Sequence, residues 1–446
     1  MRVVIVGGGE VGFALAQALS GSHEVFVIDH APSMAARFEP LDVQFVMGSG
    51  TSPEALTRAG AASADALVAC TGLDEVNIVT CAMARRLGPV RTMCFVSRQD
   101  FLGDDESGLA EFGIDSVIWP EAQLAADMER IIRTPDALDA ESFADGAIHL
   151  VEYRLDAASA MAGRRIADLH LPDGALIVAV RRGDQLFIPR GDSGLRAGDK
   201  AIVMGTPDAL HGVHTRFSGA TATGRQRVTI LGGGDVGLQL AQRLDSDAHI
   251  TLTVIERDAQ RGELVASRLS PQTMVLTGDS TDLELLESED IGRSDVLVSV
   301  IDNDERNLLT SLLGRQLGVR RIITRVSKRA NLRLFERVGI DVAISARGAA
   351  VDSVLHQVQG GATRLLAVVE QGAGRILELD VPAGYQRQPL GDLPALLDSI
   401  VGAIIRDGRA IVPRGTDAIE PRDRVIVFTT HAAETKVRDY FTQVAR

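Results

Sequence analysis

The sequence predicts an α/β protein of tandem design: two doubly wound parallel-sheet domains, each followed by a small α+β domain. Three observations predict it. A glycine turn of G-x-G-x-x-G spacing follows a short apolar run at two places, within 3–12 and 228–237. Apolar runs and helical patterns alternate after each turn, as they do where crossover helices join parallel strands. The whole pattern then returns at a nearly fixed offset, which reads as a duplication.

The first strand is Val3-Val4-Ile5-Val6, four apolar residues suited to a parallel strand covered on both faces. It runs into Gly7-Gly8-Gly9-Glu10-Val11-Gly12, where Gly7, Gly9 and Gly12 hold the motif spacing. In such a Rossmann-like turn the first glycine permits a tight bend, the second lets backbone approach a pyrophosphate, and the third lets helix pack on strand. The helix that follows offers free N–H groups and a positive dipole end to phosphate. A second strand, 24–29, ends in Asp29, 22 residues after Gly7. That is close to the ~20-residue separation at which an acid meets ribose hydroxyls. In the second copy the turn is Gly232-Gly233-Gly234-Asp235-Val236-Gly237, and the acid is Glu256, 24 residues after Gly232.

The alternation continues with a helix at 33–38, a strand at 43–47, a helix from Pro53, a strand at 65–70, a long helix at 74–87 and a strand at 92–97. A short strand at 115–118 precedes a helix at 121–132. Its Leu124, Ala125, Met128, Ile131 and Ile132 recur at helical spacing, and it is expected to leave the sheet and to be able to cross to a partner. Residues 133–146, rich in Asp, Ala and Pro, read as a connection. From Ile148 the texture changes to short strands at 151–155, 176–180, 185–188 and 200–204, with a helix at 166–169. Residues 216–226 read as a linker, and at Arg227 the program restarts. Gly48, Asp65, Asp74, Glu75, Asn77 and Gly88 match Gly278, Asp295, Asp304, Glu305, Asn307 and Gly318 at an offset of 230. Ile188-Pro189-Arg190-Gly191 matches Val412-Pro413-Arg414-Gly415 at an offset of 224.

For 446 residues a prior of about 150 residues per domain suggests roughly three domains. The repeat revises that to four, at 1–133, 140–220, 226–358 and 363–446. The content of 45% hydrophobic and 24% charged residues suits sizeable cores. A formal net charge of −14 argues against nucleic acid as a main partner, since phosphate binding needs a basic footprint. No run approaches the ~18 to 20 apolar residues of a membrane span, and Met1-Arg2-Val3 enters a strand with no signal peptide before it. The expected location is cytoplasmic. Cys70, Cys81 and Cys94 are expected as core thiols. His211 and His214, near a helix end, are expected as solvated surface residues, and no Cys/His cluster supports a metal site.

The run from Val4 to Gly12, then Asp29, Gly48, Asp65 and Asp74-Glu75-Val76-Asn77, repeated with its small lobe, resembles the TrkA family. Its members are peripheral cytoplasmic subunits of Trk potassium uptake systems, and each half looks like an RCK (regulator of potassium conductance, or KTN) domain with its carboxy-terminal lobe. The resemblance covers nearly the whole chain. It implies large lobes that bind NAD(H) or adenine nucleotides such as ATP and ADP, a homo-oligomeric ring, and regulation of a separate potassium-conducting membrane subunit. Carried onto this chain, the site comprises Gly7, Gly8, Gly9, Glu10, Val11, Gly12, Asp29, Ser49, Thr71 and Arg98 in the first half. In the second half it comprises Gly232, Gly234, Asp235, Val236, Gly237, Glu256, Asp279 and Arg325. Ser49 stands where the family commonly has an acid. Arg98 and Arg325, read at the ends of equivalent strands, resemble a family arginine near the phosphates, and read equally well as surface or interface charges. Asp74, Glu75 and Asn77 read equally well as a helix start, and Pro189-Arg190-Gly191 and Pro413-Arg414-Gly415 as turns.

Three functions are weighed. A ligand-sensing regulatory subunit fits the duplicated lobes. An NAD-dependent oxidoreductase would pair its cofactor lobe with a proton-transfer group and a substrate anchor, and the small lobes offer no convincing His/Asp or Tyr/Lys arrangement. A scaffold with empty nucleotide folds is the third. The reading taken is a regulator and not an enzyme.

Overall fold

The structure, a computed structural model, describes residues 1–21, 23–98, 101, 106–134, 136–155, 157, 159–218, 225–327, 331–358, 363–393 and 398–443. The chain forms two compact units, one of residues 1–127 with 226–358 and one of residues 128–225 with 359–446. The large lobes therefore share one unit and the small lobes the other.

In the first large lobe the strands are β1 (Arg2–Val6), β2 (Glu24–Asp29), β3 (Val43–Met47), β4 (Ala66–Ala69), β5 (Arg91–Phe95) and β6 (Ser116–Ile118). The helices are α1 (Glu10–Leu19), α2 (Pro32–Phe38), α3 (Pro53–Arg58), α4 (Asp74–Leu87) and α5 (Pro120–Arg133). The sheet is parallel in the order β3-β2-β1-β4-β5-β6, the doubly wound arrangement. Val3 to Val6 are buried on both faces, as the unbroken apolar run requires. Order reverses between β1 and β4, so the glycine turn after β1 opens into the crevice where such sheets bind ligands.

The first small lobe is an antiparallel sheet of β7 (Ala137–Phe143), β8 (Ile148–Arg154), β9 (Ala175–Arg182), β10 (Gln185–Phe187) and β11 (Lys200–Gly205), closed by α6 (Pro207–Ser218). The expected connection at 133–146 is in fact largely strand β7. Its register shifts between Ala137 and Asp139, so its buried residues Ala137, Ala140 and Phe143 fall three apart and hide the two-residue alternation. The expected helix at 166–169 is a single 3₁₀ turn, Ile166–Asp168. Part of the expected linker continues α6 to Ser218, and 219–224 lie outside the described residues. His211 is exposed as expected. His214 is not: it is 6% exposed and its Nδ1 lies 3.7 Å from the Asp136 carboxylate, because α6 turns that face onto the sheet.

The second large lobe repeats the first with β12 (Gln226–Leu231), β13 (Ile250–Glu256), β14 (Met274–Thr277), β15 (Val296–Ser299), β16 (Arg321–Arg325) and β17 (Val342–Ile344), in the order β14-β13-β12-β15-β16-β17. Its helices are α7 (Asp235–Asp245), α8 (Ala259–Arg268), α9 (Leu283–Ser288), α10 (Asp304–Gln316), α11 (Leu332–Arg337) and α12 (Ala346–Val358). The second small lobe carries β18 (Thr363–Val369), β19 (Gly374–Asp380), β20 (Gln388–Pro389), β21 (Ser399–Arg406), β22 (Arg409–Ile411), β23 (Ala418–Ile419) and β24 (Arg424–Thr430), then α13 (Glu434–Gln443). Its main sheet, β18-β19-β24-β21-β22, has the same topology as the first.

Within the large-lobe unit α12 packs along α1, and the Arg91 guanidinium donates to the Gln357 carbonyl at 2.7 Å. Within the small-lobe unit one core joins the two sheets, with Ile148, Val178 and Met204 from one against Ile376, Ala403 and Phe428 from the other. Cys70, Cys81 and Cys94 are buried and unbridged, and burial pushes the Cys70 thiol up to about 12. No helix among the described residues is long and apolar enough to cross a membrane.

Candidate nucleotide sites

Each glycine of the turn has its own steric reason. Gly7 and Gly232 adopt φ +110° and +108°, a region closed to most side chains. A Cβ on Gly12 would lie 1.8 Å from the Gly7 carbonyl oxygen, and one on Gly237 1.9 Å from that of Gly232. Around Gly9 and Gly234 a Cβ would meet nothing within 4 Å. Packing and backbone conformation therefore explain the first and third glycines and leave the second facing open space.

The acids at the strand ends hold these turns. Asp29 accepts from Gly8 N at 2.6 Å and Ala31 N at 2.8 Å, and Glu256 accepts from Gly233 N at 2.6 Å and Asp258 N at 2.9 Å. Both carboxylates thus sit beside the glycine turn at the start of the crevice, as the spacing predicts. Gly233 makes the same bond as Gly8, a role the repeat alignment already contained.

The turn after the third strand differs between halves. Ser49 Oγ lies 2.8 Å from the Thr51 hydroxyl. Asp279 accepts from the Thr281 N–H and hydroxyl and, at 2.6 Å, from the Arg306 guanidinium. The Thr281 bonds, backbone first, and Arg306 hold the Asp279 carboxyl below the usual range. The first half has Ser49 and Val76 at these two positions, so acid and arginine are present together or absent together.

Behind the crevice, Asn77 clamps the ends of β4 and β5. Its amide accepts from Thr71 N at 2.8 Å and donates to the Phe95 carbonyl at 2.9 Å, and Asn307 does the same with Ile301 and Arg325. Thr71 Oγ1 donates to the same Asn77 oxygen at 2.7 Å. Asp74 accepts from the Ser97 and Arg98 N–H groups. These three residues therefore tie loops to the sheet.

Arg98 and Arg325 are not equivalent. Strand pairing matches Ala66 with Arg91 and Val296 with Arg321, which places Arg325 opposite Phe95 in the repeat. Arg325 ends β16, pairs with Asp302 at 2.9 Å and lines the crevice. Arg98, three residues past β5, pairs with exposed Glu75 at 3.0 Å.

A cavity of about 420 Å³ opens beside the second turn, lined among others by Gly234, Asp235, Glu256, Arg306 and Arg325. Sequence reasoning missed three of its features. Arg261 of α8 donates to the Gly233 carbonyl at 2.7 Å and to Asp235 at 2.8 Å. Arg306 enters through Asp279. Glu121, from the first large lobe, reaches this second-half cavity. Burial raises its carboxyl above the usual range. The helix at 121–132, expected to leave the sheet, thus carries Glu121 to the other half of its own chain. In the small-lobe unit, Arg190 and Arg414 make turn bonds, to Ser193 Oγ at 2.9 Å and Asp417 Oδ2 at 2.7 Å, and both also line a cavity of about 780 Å³.

The TrkA-N domain family matches residues 3–120 and 228–346, and the TrkA-C domain family residues 150–218 and 376–442. The chain is 36% identical, over 99% of its length and all of the relative's, to Trk system potassium uptake protein TrkA homolog 1 of Methanosarcina mazei. It is 31% identical, over 96% of each chain, to Trk system potassium uptake protein TrkA of Azorhizobium caulinodans. The crystal structure of the GsuK RCK domain superposes with a TM-score of 0.60 at 18% identity, covering 100% of this chain and 95% of that one, and shares its fold. With both domain types present twice and whole-length relatives of the same name, the chain belongs to the TrkA family.

Proposed function

We propose that the chain is a nucleotide-sensing, peripheral regulatory subunit. It binds NAD(H) or adenine nucleotides at its two glycine turns and gates a separate potassium-conducting membrane subunit of the Trk type from the cytoplasmic side, as a homo-oligomer. The observation that carries the binding reading is the pair of turns in which packing accounts for Gly7, Gly12, Gly232 and Gly237 but leaves Gly9 and Gly234 against open space. The relatives' names, Trk system potassium uptake protein TrkA, support the partner. A nucleotide biases a channel only if it binds one arrangement of the lobes better than another. Two large lobes packed through α1 and α12 supply an interface on which such a difference can act.

An oxidoreductase reading finds less support. A dehydrogenase needs a proton-transfer group beside the nicotinamide; among the described residues the second-half cavity is lined by no His, Tyr, Lys or Cys, and of its carboxylates Asp235 and Asp302 are ion-paired to Arg261 and Arg325. The deciding experiment purifies the chain with its membrane subunit and measures potassium flux against NADH, ATP and ADP, alongside NADH fluorescence. Nucleotide-dependent flux with no NADH consumption is expected. Consumption of NADH, or flux indifferent to every nucleotide that binds, would overturn the reading.

A further inference from the structure

The repeat places Glu121 and Arg347 at the same point of the fold. Each is the second residue of the helix that follows the last strand of its sheet, α5 after β6 and α12 after β17. Each also reaches the nucleotide turn of the other half. Arg347 ion-pairs with Glu10, the residue that follows Gly9. Glu121 lines the cavity of the second turn with Gly234, Asp235 and Arg325. Equivalent positions thus carry opposite charges.

The surroundings fit that difference. Asp235, the counterpart of Glu10, is neutralised from within its own half by Arg261 at 2.8 Å, whereas the position matching Arg261 near the first turn is Met34. Glu10 relies on Arg347 instead. Among the described residues Glu121 Oε2 is buried and makes no hydrogen bond, so it can accept from a ligand hydroxyl or amide.

We propose that Arg347 and Glu121, supplied across the paired large lobes, set opposite charge preferences at the two turns. The first site favours the more highly phosphorylated nucleotide, ATP over ADP, and the second favours NADH or ADP over ATP. At the first turn a terminal phosphate competes with Glu10 for the Arg347 fork, and guanidinium to phosphate is the stronger, two-point contact. At the second turn the Glu121 carboxylate repels that phosphate and accepts from a less charged ligand. The proposal rests on the nucleotide-binding reading.

Calorimetric titration of ATP, ADP and NADH into full-length chains separates the two. The Gly234→Val background reads the first site and the Gly9→Val background the second. Arg347→Gln should lower the ATP-to-ADP affinity ratio of the first site by about tenfold, the order expected for one charged hydrogen-bond pair. Glu121→Gln should raise that ratio at the second site. Arg347→Lys keeps the charge and should keep most of the ratio; a loss equal to that of Arg347→Gln would assign the residue to packing and overturn the proposal. Unchanged ratios with binding intact overturn this proposal alone, and a parent chain that binds no nucleotide overturns the binding reading with it.

Discussion

Gly9 and Gly12 lie three residues apart in one turn and answer to different forces. A valine at Gly9 or Gly234 finds room, so the fold should hold while pyrophosphate loses its close approach to backbone. We expect Gly9→Val and Gly234→Val each to remove nucleotide binding in its own half with the melting temperature nearly unchanged. Gly12→Ala is different in kind. Its Cβ would overlap the Gly7 carbonyl oxygen at 1.8 Å, so strand and helix must part. A loss of about 3 kcal/mol or more is expected, in the range of severe core overpacking. Calorimetry with thermal melts checks both, and a Gly234→Val chain that binds as its parent does at both sites would move the second site elsewhere.

Among the elements, the junction of the two small-lobe sheets holds a buried charge cluster built on Glu152 and Lys200, whose counterparts in the repeat, Glu378 and Arg424, also pair, at 3.5 Å. Lys200 Nζ lies 2.9 Å from Glu152 and 3.5 Å from Glu370, and Arg181 pairs with Glu370 as well. Burial, then the neighbouring Glu152 carboxylate, pushes Glu370 up to about 8, against the pull of Lys200 and Arg181. Burial alone would raise Glu152 too, but Lys200, the Glu370 hydrogen bond and Arg181 outweigh it and leave that carboxyl low. The native state therefore keeps a proton on Glu370 that the unfolded chain releases near its ordinary carboxyl range. Stability from this group is full below about 4.5 and declines as pH rises to about 8. Glu370→Gln, permanently neutral, should match the parent near pH 5 and melt a few degrees higher by pH 8.5, since about 1 kcal/mol moves such a domain by roughly 2–4 °C. A difference between the two melting curves that stays constant across pH would show that Glu370 does not hold the proton.

Over the whole molecule, duplication made two glycine turns and divergence made their surroundings unequal. The second turn is surrounded by Arg257, Arg261, Arg306 and Arg325, with Asp279 paired to Arg306, where the first has His30, Met34, Val76, Phe95 and Ser49. Asp29 and Glu256 nonetheless hold the same two backbone amides beside each turn. An acid there accepts ribose hydroxyls and repels a 2′-phosphate. Titration of NADH and NADPH into the parent, Asp29→Ala and Glu256→Ala should therefore resolve two classes of site per chain, both preferring NADH. Two identical sites, or NADPH bound as tightly as NADH, would contradict this.

Sequence by itself determined the doubly wound lobes, the two glycine turns, their acids and the repeat, because each is written in local terms. A four-residue apolar run, a glycine at a bend with positive φ and an acid at a strand end depend on neighbours a few residues away. Strand β7 escaped, since a register shift breaks the alternation that marks a strand. His214 escaped because a helix face is buried or exposed only by what packs on it. The equivalence drawn between Arg98 and Arg325 failed by three positions, and only the pairing of β4 with β5 and of β15 with β16 set it right. What tertiary structure alone decided is the company each site keeps. Arg347 meets Glu10, 337 residues away in sequence, and Glu121 enters the second cavity, because the two large lobes pack together. Contacts between distant segments follow from the fit of whole lobes, and no local pattern of residues carries that fit.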